Sequence, residues 1–168
     1  LAQVPDVNDF VRGMKLLLKP GGVITAEFPH VMRTLEGNQF DQIYHEHFSY
    51  FSFLTVKEIF SAHGLALFDV DELPTHGGSL RVYGCHDGCA KYETGERVRK
   101  VLRDELDAKL DQLEGYQGFA PRVLDCKAQF LEFLFRSARE GKTVAAYGAA
   151  AGLDVIVIPT NQPIRRTD

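Results

Sequence analysis

Between Phe40 and Ser52 the chain reads Phe-Asp-Gln-Ile-Tyr-His-Glu-His-Phe-Ser-Tyr-Phe-Ser. Tyr44, His45, Glu46 and His47, all able to carry protons, stand consecutively within this run. Histidine is the ordinary proton acceptor near neutral pH, and a neighbouring carboxylate fixes its tautomer or raises its basicity. In an extended backbone His45 and His47 share one face while Tyr44 and Glu46 share the other, so the backbone must turn to aim them at one substrate. The same residues also suit a rim of amphipathic aromatics and histidines with satisfied hydrogen bonds, and residue types alone leave both readings open. A His-x-His metal pair at His45 and His47, with Glu27 or Glu36 as a further ligand, is a third reading that no spacing compels. Ser49 and Ser52 lack the strand–turn–helix elbow of a nucleophilic serine.

The flanking elements would have to position this run. Phe10, Val11, Met14, Leu17 and Leu18 recur at helical spacing and predict a helix over Asn8–Lys19, with Asp6 or Asn8 as cap and Pro20-Gly21-Gly22 as stop. Val23–Phe28 is a short apolar run of the buried-strand type, so the His-rich run follows the carboxyl end of a strand, where open α/β sheets hold their ligands. From His30 to Ser52 no period is visible. Thr55 and Glu58 read as a capping box for a helix through Val56, Ile59 and Phe60, ended by Gly64. Leu65–Leu73 and Ser79–Cys85 alternate as strands and predict an antiparallel hairpin at a sheet edge. Beyond Gly88, Glu93–Leu113 predicts an amphipathic helix carrying Val98, Val101, Leu102, Leu106, Leu110 and Leu113. Gly115, Gly118 and Pro121 interrupt it, and a second helix follows over Arg122–Arg139. Thr143–Tyr147 predicts a further buried strand, leading into Gly148-Ala149-Ala150-Ala151-Gly152, whose small residues permit close backbone approach to a ligand.

Composition narrows the classes. The 168 residues are 45% hydrophobic and 25% charged, which excludes a disordered or collagen-like chain. A formal charge of −4 without a basic run argues against nucleic acid as partner. No apolar run approaches the roughly 20 residues that span a bilayer, so no membrane partner is expected either. Three cysteines, an odd number, suit a reducing compartment and a cytoplasmic location. Cys85 and Cys89 resemble half of a zinc site, but no second short pair follows, and the segment reads as a strand end entering a turn.

The run "EFPHVMRTLEGNQFDQIYHEHFSYFS" closely resembles the class I S-adenosylmethionine-dependent C-methyltransferases of deoxysugar biosynthesis. "LKPGGVITAEFPH", "HGGSLRVYGCH" and "KTVAAYGAAA" fall in the order that family shows, so the resemblance covers about residues 1–151. It implies that His47 removes a proton from the sugar carbon next to a ketone, that Tyr44 assists the proton transfer, and that Glu46 orients the sugar. The enolate then attacks the methyl group of S-adenosylmethionine. His45, Gly77, Gly78, Ser79 and Arg81 become contacts to a nucleoside-diphosphate-linked, dTDP-type keto-deoxysugar, with Arg81 chosen for its charge. In the family zinc belongs to a small N-terminal domain, and S-adenosylmethionine to a strand–glycine-loop–helix unit. Neither pattern occurs in this sequence, and Gln3–Asp6 falls at the usual cofactor rim without being able to hold the cofactor alone. The expectation is therefore a fragment, inactive by itself. A nucleotide-sugar-binding module without turnover is the alternative.

The implied fold is α/β: part of a class I methyltransferase Rossmann-like sheet with an antiparallel edge hairpin, followed by a partial second α/β domain. The expected division is 1–88 for the methyltransferase part, 89–151 for the start of the second domain and 152–168 for a divergent tail. That tail, "GLDVIVIPTNQPIRRTD", is similar to a segment of the preprotein translocase motor ATPase and predicts a strand over Val155–Ile158. A junction near residue 151, by frameshift, fusion or assembly, is the expected origin of the tail. Exposed sheet edges predict some self-association.

Overall fold

A computed structural model describes residues 1–149 and 152–160, with side chains described through Ala145. The described chain divides into two compact units, Leu1–Gln39 with His45–Gln117, and Phe40–Tyr44 with the described residues from Gly118 onward.

The first unit is built on a three-stranded sheet. Its strands are β1 (Ile24–Pro29), β2 (Leu65–Leu73) and β3 (Ser79–His86), with β3 in the middle and antiparallel to both neighbours. The predicted hairpin forms, and its second strand inserts between the first and β1, pairing Glu27 with Arg81 and Phe28 with Leu80. Helices α1 (Val7–Leu17), α2 (Val31–Glu36), α3 (Phe53–Ala62) and α4 (Glu96–Asp107) complete the unit. The mixed α/β architecture expected from the sequence is thus observed.

Alternation on the strands decides which face is buried. Leu80 and Val82 of β3 point into the core with Phe28 of β1, and α3 lays Phe53, Val56 and Phe60 against them. On β2 the inward set begins at Leu65 and Leu67 and resumes at Val70. The register shifts between Leu67 and Asp69, and this bulge resets the two-residue period. Asp69 and Asp71 consequently join Arg81, Tyr83 and Glu27 outside the core, where Arg97 of α4 pairs with both aspartates and Tyr83 donates to Asp71 at 2.6 Å.

Several helix ends differ from the sequence expectation. α3 is capped by Ser52, whose Oγ accepts from the Thr55 amide at 3.1 Å, so the Thr55–Glu58 capping box does not form. Ser52 holds the extended φ/ψ an N-cap needs, which starts the helix earlier than Thr55. The aperiodic stretch after β1 contains the six-residue α2 and a 3-10 turn at Phe40–Gln42, both too short to show a period. α4 stops at Asp107, and Leu110 packs instead in a small cluster with Val31 and Met32. Val98 and Val101 of α4 lie in the main core of the first unit, so compactness draws its line after Gln117 while composition changes near Gly88.

The second unit contains α5 (Phe119–Arg139) and the antiparallel pair β4 (Thr143–Ala149) and β5 (Gly152–Thr160). α5 begins before Pro121, because a proline in the first turn lacks only an amide that has no intrahelical acceptor. The strand expected at Val155–Ile158 extends to the whole of β5. Ala150 and Ala151 of the Gly-Ala turn, and residues 161–168 of the tail, lie outside the described residues.

Candidate functional site

β1 ends at Pro29, and its carboxyl end is where the His-rich run returns. His30 and Phe51 form a parallel bridge, with the Val31 amide donating to the Phe51 carbonyl at 3.0 Å. Phe51 meets Phe28 edge-on at 5.9 Å between ring centroids. The amides of Phe48 and Ser49 both donate to the Ala2 carbonyl, at 2.9 and 3.3 Å. His47 immediately precedes this anchored stretch, and its ring stands edge-on to Tyr50 at 5.9 Å. The backbone turns at His45–Glu46, the change of direction that an extended run would have lacked. His45 and Glu46 are exposed and His47 is half-buried. Tyr44, also half-buried, belongs to the second unit, whereas His45–His47 belong to the first.

The β2–β3 link supplies the other predicted contacts. Gly77 and Gly78 both have positive φ, +74° and +131°, and the Gly78 carbonyl accepts from the His30 amide at 3.0 Å. That bond ties the link to the carboxyl end of β1. Gln39 donates from Nε2 to the Gly77 carbonyl at 2.9 Å. Ser79 is buried, and its hydroxyl donates to the Thr75 carbonyl at 2.9 Å. The Arg81 guanidinium donates through Nε and Nη2 to Glu27 Oε2, at 3.2 and 2.8 Å. Thr75 also donates to Glu27, at 3.1 Å, and the Arg81 contact foremost holds the Glu27 carboxyl below its ordinary range. Arg81, chosen as an anion contact, therefore already carries an acidic partner.

Sequence reasoning missed a buried pair beneath this edge. His30 is 2% exposed and Glu105, from α4, is fully buried. His30 Nε2 and Glu105 Oε1 lie 2.7 Å apart. The same carboxylate accepts from the Phe53 amide at 2.5 Å and from the Leu54 amide at 2.8 Å, the first two amides of α3. Helix N-termini expose such amides and attract negative charge, and here the chain's own carboxylate fills that place. A carboxylate only accepts, so His30 donates from Nε2, and its Nδ1 has no hydrogen-bond partner among the described residues. The signal was present in the sequence: Val98, Val101 and Glu105 fall on one helical stripe, and a charged residue on a core-facing stripe calls for buried partners. Leu106, expected on that seam, is exposed instead.

Among the described residues no group of three or more His, Cys, Asp or Glu side chains is placed to hold a metal ion. No helix among them is long and apolar enough to cross a membrane.

Two comparisons with known proteins bear on the family. The family described as C-methyltransferase C-terminal domain matches residues 74–158, a span that continues past residue 152, where the sequence reading began a divergent tail. C-methyltransferase NovU of Streptomyces niveus is 37% identical over 148 residues, which cover 88% of this chain and 35% of that protein. The chain spans about a third of the length of this curated relative.

Proposed function

Because the chain belongs to the C-methyltransferase family, whose C-terminal domain it carries, we propose that it forms the sugar-facing part of an enzyme that methylates a carbon next to a ketone in a nucleoside-diphosphate-linked deoxysugar. S-adenosylmethionine, the methyl donor the resemblance implies, supplies an electrophilic methyl group. Asp6, the acid of the Gln3–Asp6 rim, caps α1 by accepting from the Asp9 amide at 2.9 Å through Oδ1. The steps assigned to this chain are those on the sugar.

A C–H bond beside a ketone is a weak acid, and breaking it near neutral pH needs a positioned base. His47 takes that proton, leaving the electron pair delocalised onto the ketone oxygen as an enolate. Tyr44, by its place in the motif, assists the proton transfer, and a donor at the enolate oxygen lowers the barrier further. Glu46 orients a sugar hydroxyl. His45, the Gly77–Gly78 link with Ser79, and Arg81 face the remainder of the sugar nucleotide. Arg81 brings to a diphosphate a guanidinium whose Nε and Nη2 already donate to Glu27, and the buried Ser79, whose hydroxyl proton goes to the Thr75 carbonyl, contributes through its backbone. The observation that carries this reading is that His47 immediately precedes a stretch anchored to Ala2 at Phe48 and Ser49 and to the carboxyl end of β1 at Phe51.

The test needs no methyl donor. A keto-deoxysugar nucleotide incubated with the chain in deuterium oxide should take up deuterium next to the ketone, followed by proton NMR. His47→Ala should lower that exchange by about 10²-fold or more. Unchanged exchange in His47→Ala would overturn the assignment, and saturable sugar-nucleotide binding without any exchange would favour the binding-module reading.

A further inference from the structure

The stretch that carries His47 is held at both of its ends by one side chain. At the entrance, His30 closes β1 and donates to Glu105 at 2.7 Å. At the exit, Phe53 and Leu54 open α3 and donate to the same carboxylate at 2.5 and 2.8 Å. The two ends also meet directly, through the His30–Phe51 bridge and the bond from the Val31 amide to the Phe51 carbonyl. Glu105 is fully buried, and its two oxygens accept three hydrogen bonds at this junction. A hydrophobic side chain at this place on α4 would extend the seam of Val98 and Val101 but could not serve the three donors. A buried carboxylate is costly without a full set of partners, so a role confined to packing does not account for it.

We propose that Glu105, acting through His30 and the first amides of α3, is a positioning residue for His47. The clamp fixes the separation and register of the two strand and helix ends between which the His-rich run is strung. It thereby sets where the imidazole of His47 stands relative to the carboxyl end of β1. Proton abstraction tolerates little misplacement of the base, because the reacting atoms must approach to about 3–3.5 Å in line. Loss of the clamp would leave the sugar bound and the base displaced. This inference rests on the proposed role of His47.

Three variants separate it from simple stability and from failure of the functional reading. Glu105→Gln keeps the size but sets an amide group against an N–H donor. His30→Gln removes one limb of the clamp while leaving the two α3 amides with their acceptor, and it serves if Glu105→Gln does not fold. Val101→Ala, on the same helix, empties core volume without touching the clamp. In the deuterium-exchange assay, Glu105→Gln or His30→Gln should lower kcat about tenfold or more with KM changed less than about threefold. Val101→Ala should leave both constants near those of the parent at a temperature where it is folded. The ring resonances of His47 in carbon- and nitrogen-detected NMR should move in the two clamp variants and not in Val101→Ala. Parent-like kcat in a folded clamp variant, with exchange still dependent on His47, would overturn the clamp and leave the function standing. If the parent chain shows no His47-dependent exchange, the functional reading falls, and unmoved His47 resonances would then overturn the clamp as well.

Discussion

Replacing Glu105 by alanine tests how much of the first unit depends on a single carboxylate. The substitution strips acceptors from His30 Nε2 and from the amides of Phe53 and Leu54, all at a fully buried position. Leaving a buried donor unpaired costs about 1–3 kcal/mol, and breaking a buried pair by removing one member typically costs about 3–5 kcal/mol once the site has relaxed. We take the second range, because water enters the vacated volume and offsets part of the loss. Domains are stable by only about 5–15 kcal/mol, so the variant should lie near its limit. At roughly 2–4 °C per kcal/mol for a chain of this size, the midpoint should fall by about 6–20 °C. The chain contains no tryptophan, so far-ultraviolet circular dichroism with urea or heat is the suitable probe. Ser52→Ala provides the internal yardstick. It removes one acceptor at the same helix end, from the Thr55 amide, and should cost about 1 kcal/mol. The reasoning fails if Glu105→Ala costs no more than Ser52→Ala. It also fails if the loss shrinks substantially in high salt, since a pair with almost no exposed surface is screened little.

Other outcomes follow from the same structure. Phe60→Ala, at a side chain with no exposed area, should cost about 3–5 kcal/mol in urea denaturation, the range for emptying a large aromatic site. Gly13 sits inside α1 with open space where a Cβ would go, so Gly13→Ala should stabilise by about 0.5–1 kcal/mol. Gly78→Ala should do the reverse, because φ is +131° and the new Cβ would lie 2.7 Å from Arg33 Cγ; a neutral thermal shift there would contradict the assigned backbone. Glu27 has its carboxyl held below the ordinary range, foremost by Arg81. A lowered folded-state value means that its contribution is complete above the ordinary glutamate range, about 4.3, and is lost as pH falls through the lowered value. Arg81→Gln should therefore raise the Glu27 midpoint in an NMR titration and flatten the acid limb of stability, an effect kept small by solvent exposure.

Periodicity and local chemistry made much of the first unit legible. The spacing from Phe10 to Leu18 located α1, alternation located β2 and β3, and their pairing followed from a short glycine-containing link. The expectations drifted where two candidates competed for one role. Ser52 and Thr55 are both good caps, and only the backbone angles of Ser52 decide between them. α2 was illegible because six residues cannot establish a 3.6-residue period. The bulge near Phe68 is a register property, visible only once β2 is laid against β3.

For the site, the sequence by itself determined which side chains can carry protons and that they follow the carboxyl end of a strand. Side-chain type and chain order are local, and they survive any fold. The tertiary structure decided what those groups are tied to. It committed Arg81 to Glu27, spent the Ser79 hydroxyl on Thr75, and turned the backbone at His45–Glu46. It also brought a carboxylate 75 positions away onto His30 and the first turn of α3. Such a meeting is set by the packing of α4 against the sheet. A buried charge finds its partners only after the apolar stripes of several elements have closed around it, and that closure is a property of the whole unit.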